Sequence, residues 1–495
     1  MLKIFSSQID HPLADEKEAD RIFAELAGLE AKSALKEVAD WIESVDGATG
    51  FRLDRRVALI TRFDDVSQPH VRVLVRDFLI ASREARRHAS VLLQSGRHLW
   101  QRLALAYMNC FETVESAQKS KDSGKRALPH LCVRLLRAHA QWLKWCQLRY
   151  GPVDPVVWQN MGAAYLAAVE GRWDQRRVAA FGEGTVASSP QDEYVKALVF
   201  NTSAIDHLKP VDTELTDKLA ARFVSSIRFG REQQADSVFW IDPARPMAPM
   251  RLARPPRASP TLRYFGMSGA LPGLMELMGM ARKGELPSGL DLGGQYPPKM
   301  LVPVLLHLSR YWAAKPPARA HPRHAVRSAT RSVIGFAHIF GQLSGKGENP
   351  VRWEIQDVSR GGFGVQAVLR DEDDLRLGML LALQPEGGDN WLVGIIRRIA
   401  RDSEARGRLG IETLSAAPAA LKIELNGEQT DALLLDPLDA GATVRLGLPQ
   451  FGYGEAVRLN LRHAGRVAEL EPMGLLESVE SCDLARYRVA KLTAE

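Results

Sequence analysis

The hydrophobic pattern of this 495-residue chain changes its period near residue 331. Before that point, apolar residues recur every three or four positions, as on one face of an α-helix. After it, they alternate with polar residues over short runs separated by Gly-, Asp- and Glu-rich turns, as in β-strands. Since neither pattern suits the other structure, the chain must contain a helical region followed by a β region. Its length exceeds one typical hydrophobic core, so we expect two to four domains.

The sequence before residue 314 predicts a series of amphipathic helices. The predicted helices lie at about residues 13–45 (one helix, or two broken near Gly28), 71–118, 128–149, 190–230, 271–282 and 298–313. Residues 46–70 contain two glycines and a proline and predict a connection, and the polar stretch 116–125 predicts a loop. Most arginines of the 71–118 helix lie off its apolar stripe, and we interpret them as a solvated helix face rather than as a nucleic-acid site.

One octapeptide in the helical region, Trp158-Gln-Asn-Met161-Gly162-Ala-Ala-Tyr165, resembles the opening of a tetratricopeptide repeat. In that motif a glycine allows two helices to approach closely. No second copy follows at the repeat period of about 34 residues. The octapeptide therefore predicts a packed helical hairpin and not a repeat array.

Two Pro- and Arg-rich segments interrupt the helical pattern, since proline lacks the backbone N–H that a helix needs. They divide the chain into an α-helical domain (1–241), a linker (242–260), a helical segment packed on the first domain (261–314), a second linker (315–331), a six-stranded β-barrel (332–416) and a C-terminal β domain (417–495). The fold class expected is multidomain α+β, with an all-α N-terminal region before the two β domains.

The β region predicts two groups of short strands without intervening helices, which suits small closed barrels. The first group comprises Ser332–Phe340, Val351–Val358, Gly364–Val368, Met379–Gln384, Trp391–Ala400 and Arg408–Thr413. The second comprises Leu421–Leu425, Ala432–Leu435, Thr443–Leu448, Glu455–Arg462, Arg466–Leu470 and Leu475–Val479. We interpret the second group as a packing or interaction module.

Composition and targeting signals favour a cytoplasmic protein. No uninterrupted run of about 18 apolar residues predicts a transmembrane helix, and the N-terminus lacks the apolar segment of a signal peptide. The four cysteines, Cys110, Cys132, Cys146 and Cys482, form no close pair, so we expect buried thiols and neither disulfides nor a metal site. The net charge of +6 is spread over a long chain and permits an anionic ligand.

Two short motifs flank the first predicted strand. Arg327 and Arg331 stand four residues apart at the end of the second linker, and Asp357-Val-Ser359-Arg-Gly-Gly362 follows 26 residues later. Guanidinium groups bind phosphates or the Hoogsteen edge of guanine in bidentate fashion. A carboxylate accepts hydrogen bonds from guanine N1 and N2, a hydroxyl binds phosphate or base, and a glycine permits a close backbone approach.

Together these motifs and the strands after them resemble the PilZ domain, a small β-barrel that binds the bacterial second messenger cyclic di-GMP. The resemblance covers about residues 323–415 and implies that Arg327, Arg331, Asp357, Ser359 and Gly362 bind this nucleotide, with no metal. Arg323 and Arg327 have the same spacing as Arg327 and Arg331. We prefer Arg327 and Arg331, because Arg331 then leads directly into a strand. Arg323 becomes an accessory contact.

Three further arginines lie in the region that resembles a PilZ domain and are secondary ligand candidates: Arg360, Arg397 and Arg398. Because side chains alternate along a strand, only one of Arg397 and Arg398 can face the ligand.

The leading hypothesis is a non-catalytic bacterial receptor whose helical region rearranges on nucleotide binding and engages a protein partner. The alternative is a scaffold or nucleic-acid-binding protein with a degenerate PilZ barrel. The common catalytic motifs are missing from the sequence, which disfavours an enzyme. The process controlled and the oligomeric state stay open.

Overall fold

The computed structural model describes residues 10–84, 86–118, 127–181, 186–318, 321–347, 349–369, 375–403, 405–425, 428–480 and 482–494. Their contacts divide the chain into two compact units, Met1–Pro317 and Ala318–Glu495. Most of the predicted loop at 116–125 lies outside the described residues. Within the described ranges no helix combines the length and the apolar character needed to cross a bilayer.

The first unit is mainly helical. Its helices are α1 (Glu16–Gly28), α2 (Ala31–Gly47), α3 (Leu53–Glu84), α4 (Arg86–Gln118), α5 (Leu128–Gln147), α6 (Pro155–Glu170), α7 (Pro190–Thr202), α8 (Pro210–Phe223), α9 (Leu271–Lys283) and α10 (Pro298–Tyr311). A continuous apolar core joins them, and its largest fully buried side chains include Trp100, Trp145 and Trp312. The helices predicted at 128–149, 271–282 and 298–313 are confirmed by α5, α9 and α10.

The connection predicted at 46–70 is wrong from residue 53 onward, because α3 begins at Leu53 and contains Pro69. A proline inside a helix costs about 3 kcal/mol. The buried side chains of Leu59, Ile60 and Phe63 offset that cost by packing the first half of α3 into the core. Tertiary packing here outweighs the local helix-breaking signal.

The first unit also contains a small antiparallel sheet that the sequence did not predict. Its strands are β1 (Arg228–Gly230), β2 (Phe239–Ile241), β3 (Met250–Arg251) and β4 (Arg263–Gly266), in the order β1-β4-β2-β3. The expectation of an all-α N-terminal region is therefore incomplete. Gly162 on α6 faces this part of the chain: a Cβ there would lie 2.0 Å from the carbonyl oxygen of Pro243. The glycine thus admits the segment after β2. The predicted packing of this helix against another helix is also present, since Tyr165 of α6 stacks on Tyr194 of α7 with ring centroids 4.7 Å apart.

The second unit begins with a closed six-stranded antiparallel barrel, as predicted. It is built from β5 (His324–Ile334), β6 (Val351–Ser359), β7 (Gly362–Val368), β8 (Leu380–Pro385), β9 (Leu392–Arg401) and β10 (Arg406–Ser415), and α11 (Phe336–Leu343) follows β5. The strand order around the barrel is β10-β7-β6-β5-β8-β9. Both neighbours of β6 therefore contribute to the surface around the Asp-x-Ser-x-x-Gly motif.

The predicted strand Ser332–Phe340 is wrong in both bounds. The strand starts at His324 inside the predicted linker and ends at Ile334, and Gly335 turns the backbone at φ 90° into α11. Phe336 and Ile339 are buried on one face of this short helix, at helical spacing. The apolar run after Gly335 therefore follows the helical period and not the strand period.

A second closed six-stranded barrel follows, with β11 (Ala419–Leu425), β12 (Glu428–Leu434), β13 (Thr443–Pro449), β14 (Leu459–His463), β15 (Arg466–Val479) and β16 (Cys482–Ala494). The two strands predicted at 466–470 and 475–479 are one strand, since bulges accommodate Pro472 and Gly474 within β15. The sequence did not predict β16. Arg486 and Arg488 are exposed and alternate with the buried residues Ala485, Tyr487 and Val489, so the sequence carried a strand signal here.

The two barrels share an apolar joint. Val333, Ile339 and Ile395 of the first barrel form one buried cluster with Leu433 and Leu484 of the second. Two arginine–glutamate pairs border the joint, Arg397 with Glu477 at 2.7 Å and Arg376 with Glu480 at 2.6 Å. The predicted fold class, a helical region followed by two β domains, is confirmed, and the β domains pack as one unit.

Candidate functional site

The Asp-x-Ser-x-x-Gly motif forms the hairpin between β6 and β7. Ser359 pairs with Gly362 in the ladder, so that Arg360 and Gly361 make the two-residue turn. The Ser359 hydroxyl donates to the carbonyl oxygen of Gly362 at 3.2 Å. Asp357 lies two residues before the end of β6, and its side chain is about one third exposed. The motif therefore presents a carboxylate and a hydroxyl beside an exposed turn.

Gly362 is required by the closure of the barrel. A Cβ at this position would lie 1.9 Å from the carbonyl oxygen of Ile411 on β10. Next to it, the Thr413 amide donates to the Gly361 carbonyl at 3.0 Å. The predicted close backbone approach at Gly362 is thus an approach to β10, and it fixes the turn that carries the polar groups.

The segment that enters β5 brings an arginine to this hairpin. The Nη1 atom of Arg323 donates to Oδ1 of Asp357 at 2.5 Å. In the strand ladder, Ala325 stands directly opposite Asp357. The ring of His321 lies over the turn, since a Cβ on Gly361 would be 3.6 Å from its Cδ2 atom. Residues 321–325 therefore run along the end of the hairpin and join both motifs.

Arg327 lies in a bulge of β5 close to the same place. Ala325 pairs with Asp357 and Ser328 with Ile355, so β5 has one residue more than β6 between these pairs. Bulges of this kind redirect side chains from the regular alternation. Arg327 is exposed and stands only two residues from the position opposite Asp357.

Arg331 is not brought to this group. It pairs with Arg352 across the ladder, five residues before Asp357, which places it roughly 16 Å away along β6. Its guanidinium donates to Oε1 of Gln384 at 3.0 Å and lies 5.7 Å from the centroid of the Trp391 ring. The structure therefore assembles Arg323, Asp357 and Ser359 with Arg327 nearby, and leaves Arg331 in other contacts.

The secondary candidates differ in their surroundings. Arg397 is held by Glu412 and, through both terminal nitrogens, by Glu477 of the second barrel, all at 2.7 Å. The aliphatic part of Arg398 covers Gly410 on the neighbouring strand. Arg360 is exposed in the β6–β7 turn, next to Ser359. Of the three, only Arg360 lies in the hairpin that carries Asp357 and Ser359.

Sequence reasoning missed two residues of this site, His321 and Gly364. Gly364 stands opposite Asp357 in the ladder between β6 and β7, and the Asp357 carboxylate lies directly over it. A glycine inside a strand pattern indicates a close approach by another group, so the sequence carried a signal for Gly364. Nothing in the pattern singled out His321 from the other linker residues.

The electrostatic character of the site suits an anion. The segments 321–327 and 357–362 hold three arginines, two histidines and one aspartate. Guanidinium groups clustered on an exposed surface attract phosphate and bind it in bidentate fashion.

Among the described residues no group of histidine, cysteine and acidic side chains has the arrangement of a metal site. All four cysteines are free and buried, as predicted, and burial raises the pKa of Cys110 and Cys482 to about 12.

A closed six-stranded barrel with Asp-x-Ser-x-x-Gly on one hairpin and an arginine-bearing segment beside it defines a PilZ domain. Family comparisons agree: residues 341–420 match the middle PilZ domain of the cyclic-di-GMP receptor FimW, and residues 17–234 match the N-terminal domain of the same receptor. The two matches together span more than half of the chain. The protein therefore belongs to the FimW family of cyclic-di-GMP receptors.

The first match covers α1 to α8 of the helical region, for which the sequence motifs gave no family, and leaves α9 and α10 outside. The PilZ match begins at residue 341, after both arginine pairs, so it does not choose between them. It ends at residue 420, so β11–β16 lie almost entirely outside it. A comparison with curated proteins gave no match.

Proposed function

We propose that this protein is a cytoplasmic, non-catalytic receptor that binds cyclic di-GMP at the β6–β7 hairpin of the first barrel. The observation that carries this proposal is the 2.5 Å contact between Arg323 and Asp357, because it joins the two halves of the motif at one exposed place. Family membership supplies the ligand class, and the surrounding arginines supply the charge that two phosphates require.

The arginine pair that we propose for the ligand is Arg323 and Arg327, with Asp357, Ser359 and the turn at Gly362. Asp357 accepts from guanine N1 and N2, and the guanidinium groups bind phosphate or the guanine O6 and N7 atoms. Arg360 is a further phosphate contact from the turn. Arg327 belongs to both possible pairs, whereas Arg331 is already held by Gln384 and Trp391.

Nucleotide binding replaces the ion pair between Arg323 and Asp357 with contacts from both side chains to the ligand. In the free protein Asp357 accepts from Arg323, and in the complex the guanine takes that place while Arg323 turns to phosphate. The segment 321–327 then adopts a different arrangement with and without nucleotide. A conformational change of this kind needs a ligand that binds one arrangement more tightly than the other, and a linker that supplies ligand contacts meets that condition.

The output that we propose is a change in the affinity of the helical region for a protein partner. Two arginines from the solvated face predicted for residues 71–118 do not favour nucleic acid as that partner, because Arg76 pairs with Asp77 at 2.9 Å and Arg102 with Glu43 at 2.8 Å. Charges neutralised locally give little of the salt-dependent attraction that nucleic acid binding uses. Pull-down with and without cyclic di-GMP tests the coupling.

Calorimetry with cyclic di-GMP tests the binding step. We expect micromolar or tighter binding by the full chain, and a loss of at least about a hundredfold in Asp357→Ala and in Arg323→Ala, since each removes a charged hydrogen-bonding group. The matched control is Asp431→Ala, which removes an exposed, ion-paired carboxylate from the second barrel and should leave binding unchanged. Absence of heat at high ligand concentration would leave the scaffold hypothesis in its place.

A further inference from the structure

Gly364 and Asp357 share one space on the barrel. They face each other in the ladder between β6 and β7. An ideal Cβ on Gly364 would lie 2.5 Å from Oδ2, 2.7 Å from Cγ and 2.7 Å from Oδ1 of Asp357. The carboxylate therefore occupies the volume that any other residue at position 364 would fill with its own side chain.

A bulge in β6 contributes to this placement. Ile355 pairs with Val365, and Asp357 pairs with Gly364, so Gln356 is the extra residue between them. Such a bulge changes the direction of the side chain that follows it. Asp357 thus lies flat over Gly364, at hydrogen-bonding distance from Arg323 on the opposite side.

The contact at Gly364 differs in kind from that at Gly362. At position 362 a Cβ would meet the backbone of Ile411, which cannot move without opening the barrel. At position 364 it would meet the end of one aspartate side chain, which can rotate away at low cost. A methyl group at 364 therefore displaces the carboxylate and leaves the strands in place.

We propose that Gly364 is a positioning residue that holds the Asp357 carboxylate where it recognises guanine. This inference rests on the proposed function. A carboxylate only accepts hydrogen bonds, so it matches the N1 and N2 donors of guanine and not the N1 acceptor of adenine. Because hydrogen bonds weaken steeply with distance and angle, displacing Asp357 should remove the preference for guanine while the arginine contacts to phosphate persist.

The test compares Gly364→Ala with the unchanged chain by calorimetry, using cyclic di-GMP and cyclic di-AMP. We expect a loss of about tenfold in affinity for cyclic di-GMP, the discrimination that one good base contact provides, and no change for the adenine analogue. The melting temperature should stay near that of the unchanged chain. Gly447→Ala in the second barrel, where a Cβ meets nothing nearer than 3.3 Å, is the matched glycine control and should bind both nucleotides normally.

A second measurement separates positioning from folding. In an Asp357→Ala background the obstructing carboxylate is gone, so Gly364→Ala should leave both the melting temperature and the remaining affinity unchanged. An equal loss for both nucleotides, or a fall in melting temperature that persists in the Asp357→Ala background, would overturn the positioning role. Normal cyclic di-GMP binding by Gly364→Ala, with loss in Asp357→Ala, would overturn it too. Failure of the unchanged chain to bind would instead refute the proposed receptor.

Discussion

The two barrels of the second unit have the same number of strands and the same antiparallel closure, but they differ in how their charged side chains are used. On the second barrel, ion pairs join neighbouring strands and turns: Lys422–Asp431, Arg445–Asp436, Arg458–Glu469 and Arg488–Glu471. On the first barrel, the segments 321–327 and 357–362 hold one carboxylate, that of Asp357, and three arginines, Arg323, Arg327 and Arg360. These ion pairs neutralise charges of the second barrel locally, whereas the two segments of the first barrel keep an excess of cations beside an exposed turn.

This difference shows that two barrels of the same architecture can differ in the side chains that they offer to a ligand. A six-stranded barrel hosts many activities, and the activity depends on a few side chains placed on it. On the second barrel, partial burial would raise the pKa of Asp436, but the hydrogen bonds that Arg445 donates lower it below its usual value. That carboxylate is already satisfied by its own protein. The second barrel is joined to the first through an apolar core and Arg397, and its role as a packing or interaction module stays a prediction.

The largest difference between the barrels is expected in the loss of stability caused by a glycine substitution. Gly362→Ala should destabilise the chain by about 3 kcal/mol or more, because the new methyl group overlaps the Ile411 carbonyl across two paired strands. Gly447→Ala on the second barrel should cost about 1 kcal/mol or less, since its nearest neighbours are side-chain atoms at 3.3 and 3.4 Å. Thermal unfolding of both variants measures the contrast, and similar melting temperatures would contradict it.

The same contrast shows how much the sequence could predict. The motif Asp357 to Gly362 followed from its resemblance to the PilZ domain, and the number of strands in the first barrel followed from turn residues and alternation. The bounds of β5 and the helix after Gly335 did not, because tertiary packing decided between two local patterns: Phe336 and Ile339 enter the joint between the barrels. The strand β16, held by pairing along the whole of β15, was missed despite its alternation. The choice between the arginine pairs stays a prediction, to which the strand register adds that Arg331 stands opposite Arg352 and not opposite Asp357.

An intermediate loss of stability is expected on breaking the pair of Arg397 and Glu477, which joins the two barrels. Burial lowers the pKa of this guanidinium, but its hydrogen bonds to Glu477 and Glu412 raise it above the usual value. Glu477→Ala should cost about 1 kcal/mol, because the pair is bidentate but more than one third exposed. A double-mutant cycle of thermal or denaturant unfolding with Arg397→Ala measures the coupling between the two side chains.

The cycle also tests Arg397 as a ligand contact. If it only joins the barrels, Arg397→Ala and Glu477→Ala should change the affinity for cyclic di-GMP equally and by less than about threefold, well under the cost of one charged contact. A much larger loss in Arg397→Ala than in Glu477→Ala would place this arginine on the nucleotide, as first considered from the sequence, and would extend the ligand site toward the second barrel.

The smallest effect is expected on nucleotide affinity when Arg331 is replaced. This arginine belongs to the first barrel, but like the paired charges of the second barrel it already has partners within the protein. Its guanidinium is engaged by Gln384 and Trp391, and by register it stands roughly 16 Å along β6 from Asp357. Arg331→Ala should therefore lower nucleotide affinity by less than about threefold, whereas Arg327→Ala should lower it by about tenfold or more. Calorimetry on the two variants decides between the arginine pairs. A loss in Arg331→Ala that equals or exceeds that in Arg327→Ala would restore the pair Arg327 and Arg331, and would mean that β5 changes its register or its bulge when the nucleotide binds.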